Sequence, residues 1–191
     1  MSATNRGTKR NPYDFYATPE NVVQNVLNHF DLTNYGNEIL EPSAGNGNIC
    51  KIVKAMYPNK NLTGLEIREE EQDNLNAICD QVMCGDYLKL NSSKKYDIII
   101  GNPPFSLAKE FVEKSLDLLN ENGVLIFLLR TAFLESKKRF DFWQSNPVTG
   151  LYVLSKRPSF LSGSGTDATS YSWFVWDKSA NKQFIQVIWN F

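Results

Sequence analysis

The chain has few of the side chains that build metal centres: one histidine, His29, and three cysteines, Cys50, Cys79 and Cys84, in 191 residues. A lone histidine supplies neither a His/Cys ligand set nor both partners of a serine–histidine pair, so no metal site is expected. His29, at the end of an amphipathic run, reads as a helix-end surface residue. The cysteines lie in apolar-periodic stretches without paired ligand spacing, which fits reduced core thiols and a reducing compartment such as the cytoplasm. Charge of one sign is also lacking. Lys and Arg total 20 against 21 Asp and Glu, a net charge of −1 with pI ≈ 5.9. That balance argues against coating DNA by bulk charge and confines any nucleic-acid footprint to a local surface. Long apolar runs are missing too. Nothing approaches the roughly 18 consecutive apolar residues of a membrane span, and Met1 to Arg6 hold no apolar signal core, so a soluble chain with no membrane partner is expected.

What is present fits one α/β domain, because a typical domain runs roughly 100–200 residues. Residues 1–12 are polar, carry Arg6, Lys9 and Arg10, and have little to bury, so a flexible tail is expected there and a single domain over 13–191. At Thr18-Pro19-Glu20 the pattern predicts a helix start with a hydroxyl N-cap, proline in the first position and an acid in the first turn. Val22, Val23, Val26, Leu27 and Phe30 follow at helical spacing.

Short apolar runs then alternate with helical segments, the pattern of parallel strands joined by crossover helices. Strands are expected near Glu38–Leu40, Asn61–Glu66, Gln81–Cys84, Tyr96–Ile100, Gly123–Leu129 and Gly150–Leu154. Helices are expected near Asn48–Met56, Glu69–Cys79, Ala108–Leu119 and Ala132–Trp143. Tyr171–Trp176 and Phe184–Trp189 look like two further strands with only a turn between them, an antiparallel finish to the sheet.

The first strand runs into Leu40-Glu41-Pro42-Ser43-Ala44-Gly45-Asn46-Gly47-Asn48, a tight turn whose glycines let a ligand approach the backbone before a helix begins. The dinucleotide fingerprint requires a third glycine where Cys50 stands, which weakens a nicotinamide reading. About 20 residues on, the second strand ends at Glu66, where a carboxylate accepts hydrogen bonds from both ribose hydroxyls of an adenosine. The third ends at Asp86. In order, the loop and the two acids trace the crevice where open α/β sheets bind ligands.

After Asp97-Ile98-Ile99-Ile100-Gly101 stands Asn102-Pro103-Pro104-Phe105. Two prolines make a stiff turn at the mouth of a buried strand, with carbonyl groups aimed outside the sheet. A base amino nitrogen is a poor nucleophile because its lone pair is delocalised into the ring. Acceptors at Asn102 and the Pro103 carbonyl would take its two N–H bonds and direct the lone pair at an electrophilic methyl group. Phe105 would offer a stacking face to an extruded base.

On these motifs the chain resembles the class I S-adenosylmethionine-dependent amino-methyltransferases. Within them it is most similar to the DNA adenine-N6 branch in the gamma arrangement, where the methionine-side motif precedes the glycine loop. Phe15-Tyr16-Ala17-Thr18-Pro19 looks like that first motif, Glu41 to Gly47 like the cofactor loop, and Asn102 to Phe105 like the catalytic tetrapeptide, the match covering roughly residues 13–176. The resemblance implies a single Rossmann-like domain: a mostly parallel seven-stranded sheet with an antiparallel C-terminal strand and helices on both faces. It implies S-adenosylmethionine as cofactor, with Tyr16, Thr18 and Pro19 at its methionine end and Glu41, Ala44, Gly45 and Gly47 along methionine and ribose. Glu66 would take the ribose hydroxyls, Asp86 the adenine amino group, and Asn102 would border the cofactor while positioning the target. Pro104 and Phe105 would lie on the cofactor side or on the target base. In Arg157-Pro158-Ser159-Phe160, Phe160 stands where the family carries an aromatic that stacks on the flipped base, with Arg157 beside it.

The expected reaction is methyl transfer to the N6 amino group of adenine in DNA. The tetrapeptide also fits base amino groups in RNA, adenine N6 or guanine N2, and a related form acts on a protein glutamine amide. An inactive cofactor-binding scaffold would show decay of the loop or tetrapeptide, and both are intact. No separate target-recognition domain is expected. Only the loop Ser162–Thr169 and the basic groups Lys137-Lys138-Arg139 and Lys156-Arg157 are left over, so sequence selectivity would be weak or supplied by a partner subunit.

Overall fold

Alternation along the strands dictates two apolar layers. In the computed structural model, which describes residues 17–160, 169–180 and 183–188, Ile98, Ile100, Val124, Ile126 and Leu128 point to one face of the sheet and Ile99, Leu125, Phe127 and Leu129 to the other. Both faces are therefore covered, as a parallel sheet requires. Side chains buried this fully each contribute about 1.5–3 kcal/mol.

Eight strands form one sheet: β1 (Glu38–Glu41), β2 (Asn61–Glu66), β3 (Gln81–Cys84), β4 (Tyr96–Gly101), β5 (Leu119–Arg130), β6 (Gly150–Leu154), β7 (Tyr171–Asp177) and β8 (Phe184–Ile188). Their order is β3-β2-β1-β4-β5-β7-β6-β8. β3, β2, β1, β4 and β5 pair in parallel, while β7 runs antiparallel to both β5 and β6. The expected mostly parallel sheet with its antiparallel strand is present, and β8 adds a parallel edge beyond β6. β7 and β8 do not form a hairpin, because β6 lies between them. β7 is apolar at nearly every position, Tyr171 to Trp176, since it occupies the interior between two strands.

Helices α1 (Glu20–His29) and α2 (Asn48–Met56), with the short α3 (Gln72–Asn76), cover one face through Val22, Val26, Ile49, Val53 and Leu75. Helices α4 (Ala108–Leu118) and α5 (Phe140–Ser145) cover the other through Phe111, Val112 and Phe142. Among the described residues no helix is long and apolar enough to cross a membrane.

Three local expectations are corrected. The α1 N-cap is Pro19, not Thr18, and carries no side-chain cap; Val22 N–H reaches the Pro19 carbonyl at 3.0 Å. The helix expected over Ala132–Trp143 is broken into 3-10 turns at Thr131–Leu134 and Lys137–Arg139 before α5. Ser136, at φ 100° and ψ 122°, is the cause, because no helix continues through a positive φ. Cys84, expected in the core, is exposed at the strand edge; Cys50 is buried and Cys79 half-buried. The tail at residues 1–12, Tyr16 and residues 162–168 of the Ser/Gly loop lie outside the described residues.

Candidate active site

The carboxyl ends of β1, β2, β3 and β4 open onto a cavity of about 380 Å³ bordered by Thr18, Glu41, Gly45, Glu66, Asp86 and Asn102. Its size lies within the roughly 300–1,000 Å³ of small-molecule sites, and its position is where open α/β sheets bind ligands.

The glycine loop forms its floor. Ala44 N–H donates to the Leu65 carbonyl at 2.8 Å, and Gly47 N–H to the Ala44 carbonyl at 2.8 Å. Gly47 is the N-cap of α2 at φ 79°, a left-handed conformation that favours glycine, whereas the Ile78 Cδ1 methyl that a Cβ would meet at 2.8 Å is a side-chain end able to shift. Gly47 thus shapes the loop from behind rather than bordering the cavity. Ser43 borders the cavity, and its Oγ is shielded from water with no hydrogen-bond partner among the described residues.

Two acids stand as expected at strand ends, each held by its neighbours. Glu66 Oε2 accepts Gly45 N–H at 2.7 Å, while Oε1 accepts the Arg68 backbone N–H at 3.1 Å and Arg68 Nε at 2.9 Å. Arg68 also pairs with Glu71 at 3.1 Å, so the Glu66 carboxylate is preorganised within a charged triad. Asp86 Oδ1 accepts Leu88 N–H at 3.0 Å, capping a 3-10 turn, and Asp86 Oδ2 lies 3.4 Å from Lys89. Glu41 differs. Its carboxyl is fully buried, burial holds it well above the ordinary value of 4.5, and Cys50 Sγ donates to its Oε2 at 2.9 Å. A neutral acid at this wall can donate as well as accept.

Thr18 ties the two halves of the site. Asn48 Nδ2, at the start of α2, donates to the Thr18 carbonyl at 3.1 Å, and Asn102 Nδ2 donates to Thr18 Oγ1 at 3.1 Å. The second bond fixes the roll of the Asn102 carboxamide, with nitrogen toward Thr18 and oxygen on the opposite side. Pro19, next in sequence, opens α1 and does not border the cavity. Asn102 and Pro104 border it; Pro103 is buried behind them. The Pro104 carbonyl receives Leu107 N–H at 2.9 Å, which closes the turn into α4.

Phe105 turns away into an aromatic cluster. Its ring centroid lies 5.2 Å from Tyr171 and 6.3 Å from Phe160, and the Arg130 guanidinium stands 5.0 Å above it. Phe160 packs edge-on against Tyr171 at 5.0 Å. Phe105 and Phe160, far apart in sequence, are therefore brought together beside the cavity, while Arg157 is exposed at the end of β6. Sequence reasoning missed Arg68, Arg130, Asn48 and Tyr171. Arg68 stands two residues after Glu66 and Arg130 closes a strand, which are the available signals. Nothing local marks Tyr171, whose place depends on β7 inserting between β5 and β6.

The strand order and the cleft at the carboxyl ends define the class I S-adenosylmethionine-dependent methyltransferase fold. The chain belongs to the methyltransferase small domain family, whose model matches residues 20–141. A class I S-adenosylmethionine-dependent methyltransferase of Listeria monocytogenes shares the fold with a TM-score of 0.72 at 15% identity, over 95% of this chain and 68% of that one. Type II methyltransferase M.CvrRI of Paramecium bursaria Chlorella virus XZ-6E is 25% identical over 77% of this chain and 50% of its own length. Modification methylase CviBIII of Paramecium bursaria Chlorella virus NC1A is 26% identical over 63% of this chain and 38% of its own. The chain thus spans half or less of the length of these two relatives. S-adenosylmethionine is the cofactor the family implies. The residues present fit it: a cavity of suitable size, a glycine loop at the floor, an unsatisfied hydroxyl at Ser43 and carboxylates at two strand ends.

Proposed function

We propose that this chain transfers a methyl group from S-adenosylmethionine to the exocyclic N6 amino nitrogen of adenine in DNA. The observation that carries the reading is the Asn102 carboxamide, oriented by Thr18 at the edge of the cavity and followed by a rigid Pro-Pro turn. Thr18, Glu41, Ala44, Gly45, Glu66 and Asp86 would hold the cofactor there, with Gly47 and Pro19 shaping the loop and helix behind them; Tyr16 would join them at the methionine end. Bound in this cleft, S-adenosylmethionine supplies an electrophilic methyl group on a sulfonium sulfur.

Asn102 Oδ1 and the Pro103 carbonyl accept the two N–H bonds of the target amino group, which draws its lone pair out of conjugation with the ring. As positive charge develops on that nitrogen, the same two dipoles stabilise it, with Asn102 tied to Thr18 and the Pro103 carbonyl set in the stiff turn. No strong base is required, since the methylated nitrogen is acidic enough to lose its extra proton to water. Phe105, Pro104 and Phe160 would bound the space for the base, and Arg157 would reach the strand that carries it.

The two viral relatives, a type II methyltransferase and a modification methylase, favour DNA among the polymers with reactive amino groups. A partner subunit, or chain beyond the matched span, would supply target recognition. The test is incubation with methyl-labelled cofactor and separate DNA, RNA and protein pools, followed by digestion and mass spectrometry. The proposal expects label in N6-methyladenine of DNA. Label confined to RNA nucleosides or to glutamine would replace it with those substrates, and no label in any pool would leave a cofactor-binding scaffold.

A further inference from the structure

The chain leaving β5 carries a surface that the methyl-transfer site does not use. Leu134 is 41% exposed and Phe140 62%, the largest exposure of any bulky apolar side chain among the described residues. Between them Lys137 and Lys138 are exposed, and neither joins an ion pair among the described residues. Arg139 behaves differently. Its Nε donates to the Phe133 carbonyl at 2.8 Å, Nη2 to the Ala132 carbonyl at 3.1 Å, and its guanidinium lies 5.0 Å over the Phe133 ring. It clamps the segment to the body of the protein and leaves the two lysines projecting.

The turn itself is built, not slack. Ser136 holds φ 100°, a conformation that non-glycine residues keep only where the surroundings impose it, and its side chain accepts Lys138 N–H at 3.3 Å. In a chain of net charge −1 this cationic run is a local feature, bracketed by Glu135 and Asp141.

Its position gives it a use. Arg130, the last residue of β5, covers the Phe105 ring, and Thr131 N–H donates to the Ser170 carbonyl at 2.9 Å beside Tyr171. The ridge therefore starts beside Phe105, the last residue of the Asn-Pro-Pro-Phe turn. Lys156 and Arg157, at the end of β6, stand on the same carboxyl side of the sheet, separated from the end of β5 only by β7. A polyanion approaching the cleft from this side of the sheet would run across this edge.

We propose that Lys137, Lys138 and Phe140 form a docking ridge for the nucleic-acid strand that delivers its base to the cleft. The lysines pair with backbone phosphates, and the Phe140 ring packs on the nucleotide next to the target. The inference rests on the nucleic-acid reading of the site above. Lysine is suited to the task as a mobile point charge, which positions a backbone without reading its sequence.

The test compares the full chain with K137A/K138A, K137R/K138R and F140A, by fluorescence anisotropy with a labelled DNA duplex over a salt series. Melting temperature and S-adenosylmethionine affinity by calorimetry serve as controls for folding. Two lost phosphate contacts make the slope of log K against log salt shallower by about 1.8, at roughly 0.9 per contact. K137R/K138R keeps the slope, and F140A weakens binding without changing it. A folded K137A/K138A variant with wild-type affinity and slope would overturn the ridge; if the wild type still methylates DNA, the function reading survives that failure. Conversely, if the wild type shows the lysine-dependent slope but labels no nucleic acid, the ridge stands and the methyl-transfer reading falls. A wild type that binds no nucleic acid overturns both.

Discussion

Asn102 Nδ2 donates to Thr18 Oγ1 at 3.1 Å, joining the head of the Asn-Pro-Pro-Phe turn to a residue 84 positions earlier in the chain. The bond makes Thr18 a positioning residue for Asn102. Thr18→Val keeps the shape and removes the acceptor, so the carboxamide loses its fixed roll. The expected result is a fall in kcat of roughly ten- to hundredfold, because small misplacements of positioning groups cost that much. S-adenosylmethionine affinity falls by less than kcat, because Thr18 also borders the cofactor cavity, and Thr18→Ser restores the rate. A loss of cofactor affinity with unaltered kcat would make Thr18 a cofactor ligand alone.

Glu66 is held by Gly45 N–H and by Arg68, ready to face a ligand with its geometry set. Hydrogen bonds to a charged group contribute about 1.5–3 kcal/mol, so Glu66→Ala should weaken cofactor binding by roughly tenfold to hundredfold. An unaltered dissociation constant by calorimetry removes Glu66 from the ribose site.

Glu41 gives a pH signature in the protein without cofactor. In the unfolded chain its carboxyl ionises above about 4.5, whereas burial in the folded protein moves ionisation to higher pH. The unfolded state then binds fewer protons, so this residue's contribution to stability is lost as pH rises from the unfolded value toward the folded one. Glu41→Gln has no such loss. Its melting temperature relative to wild type should therefore rise as pH is raised above about 4.5. A constant difference across that range would mean that Glu41 is ionised in the folded protein.

Phe160 packs with Phe105 and Tyr171 next to the cleft. If it stacks on the extruded base, Phe160→Ala forfeits about 1–3 kcal/mol of base contact, read as a rate on DNA lowered by roughly five- to 150-fold at unchanged cofactor affinity. A normal rate on duplex DNA excludes a necessary stacking role and leaves Phe160 as packing for Tyr171.

Features carried by local pattern were legible in the sequence. Apolar alternation placed the strands, since Ile98, Ile99 and Ile100 need cover on both faces, and the glycine loop and Asn102 fell at strand ends because that is where such turns occur. Features that depend on distant chain were not. Thr18 reads as a helix cap by residue type, yet its hydroxyl serves Asn102, and Pro19 opens the helix instead. The helical composition of Ala132–Trp143 is overridden at Ser136 by a positive φ that no propensity reveals. The contact of Arg130 with Phe105 arises only once β4 and β5 lie side by side, and β7 and β8, adjacent in sequence, are parted by β6.

The most direct test of the central claim is the amount of methylated nucleoside formed from DNA and methyl-deuterated cofactor by wild type and Asn102→Ala, quantified together by mass spectrometry. The expected result is deuterated N6-methyladenine with wild type and none with the variant, whose cofactor affinity by calorimetry is nearly unchanged. Label at equal yield with Asn102→Ala, or label from wild type in a different nucleoside, would contradict the assignment of Asn102 to adenine N6.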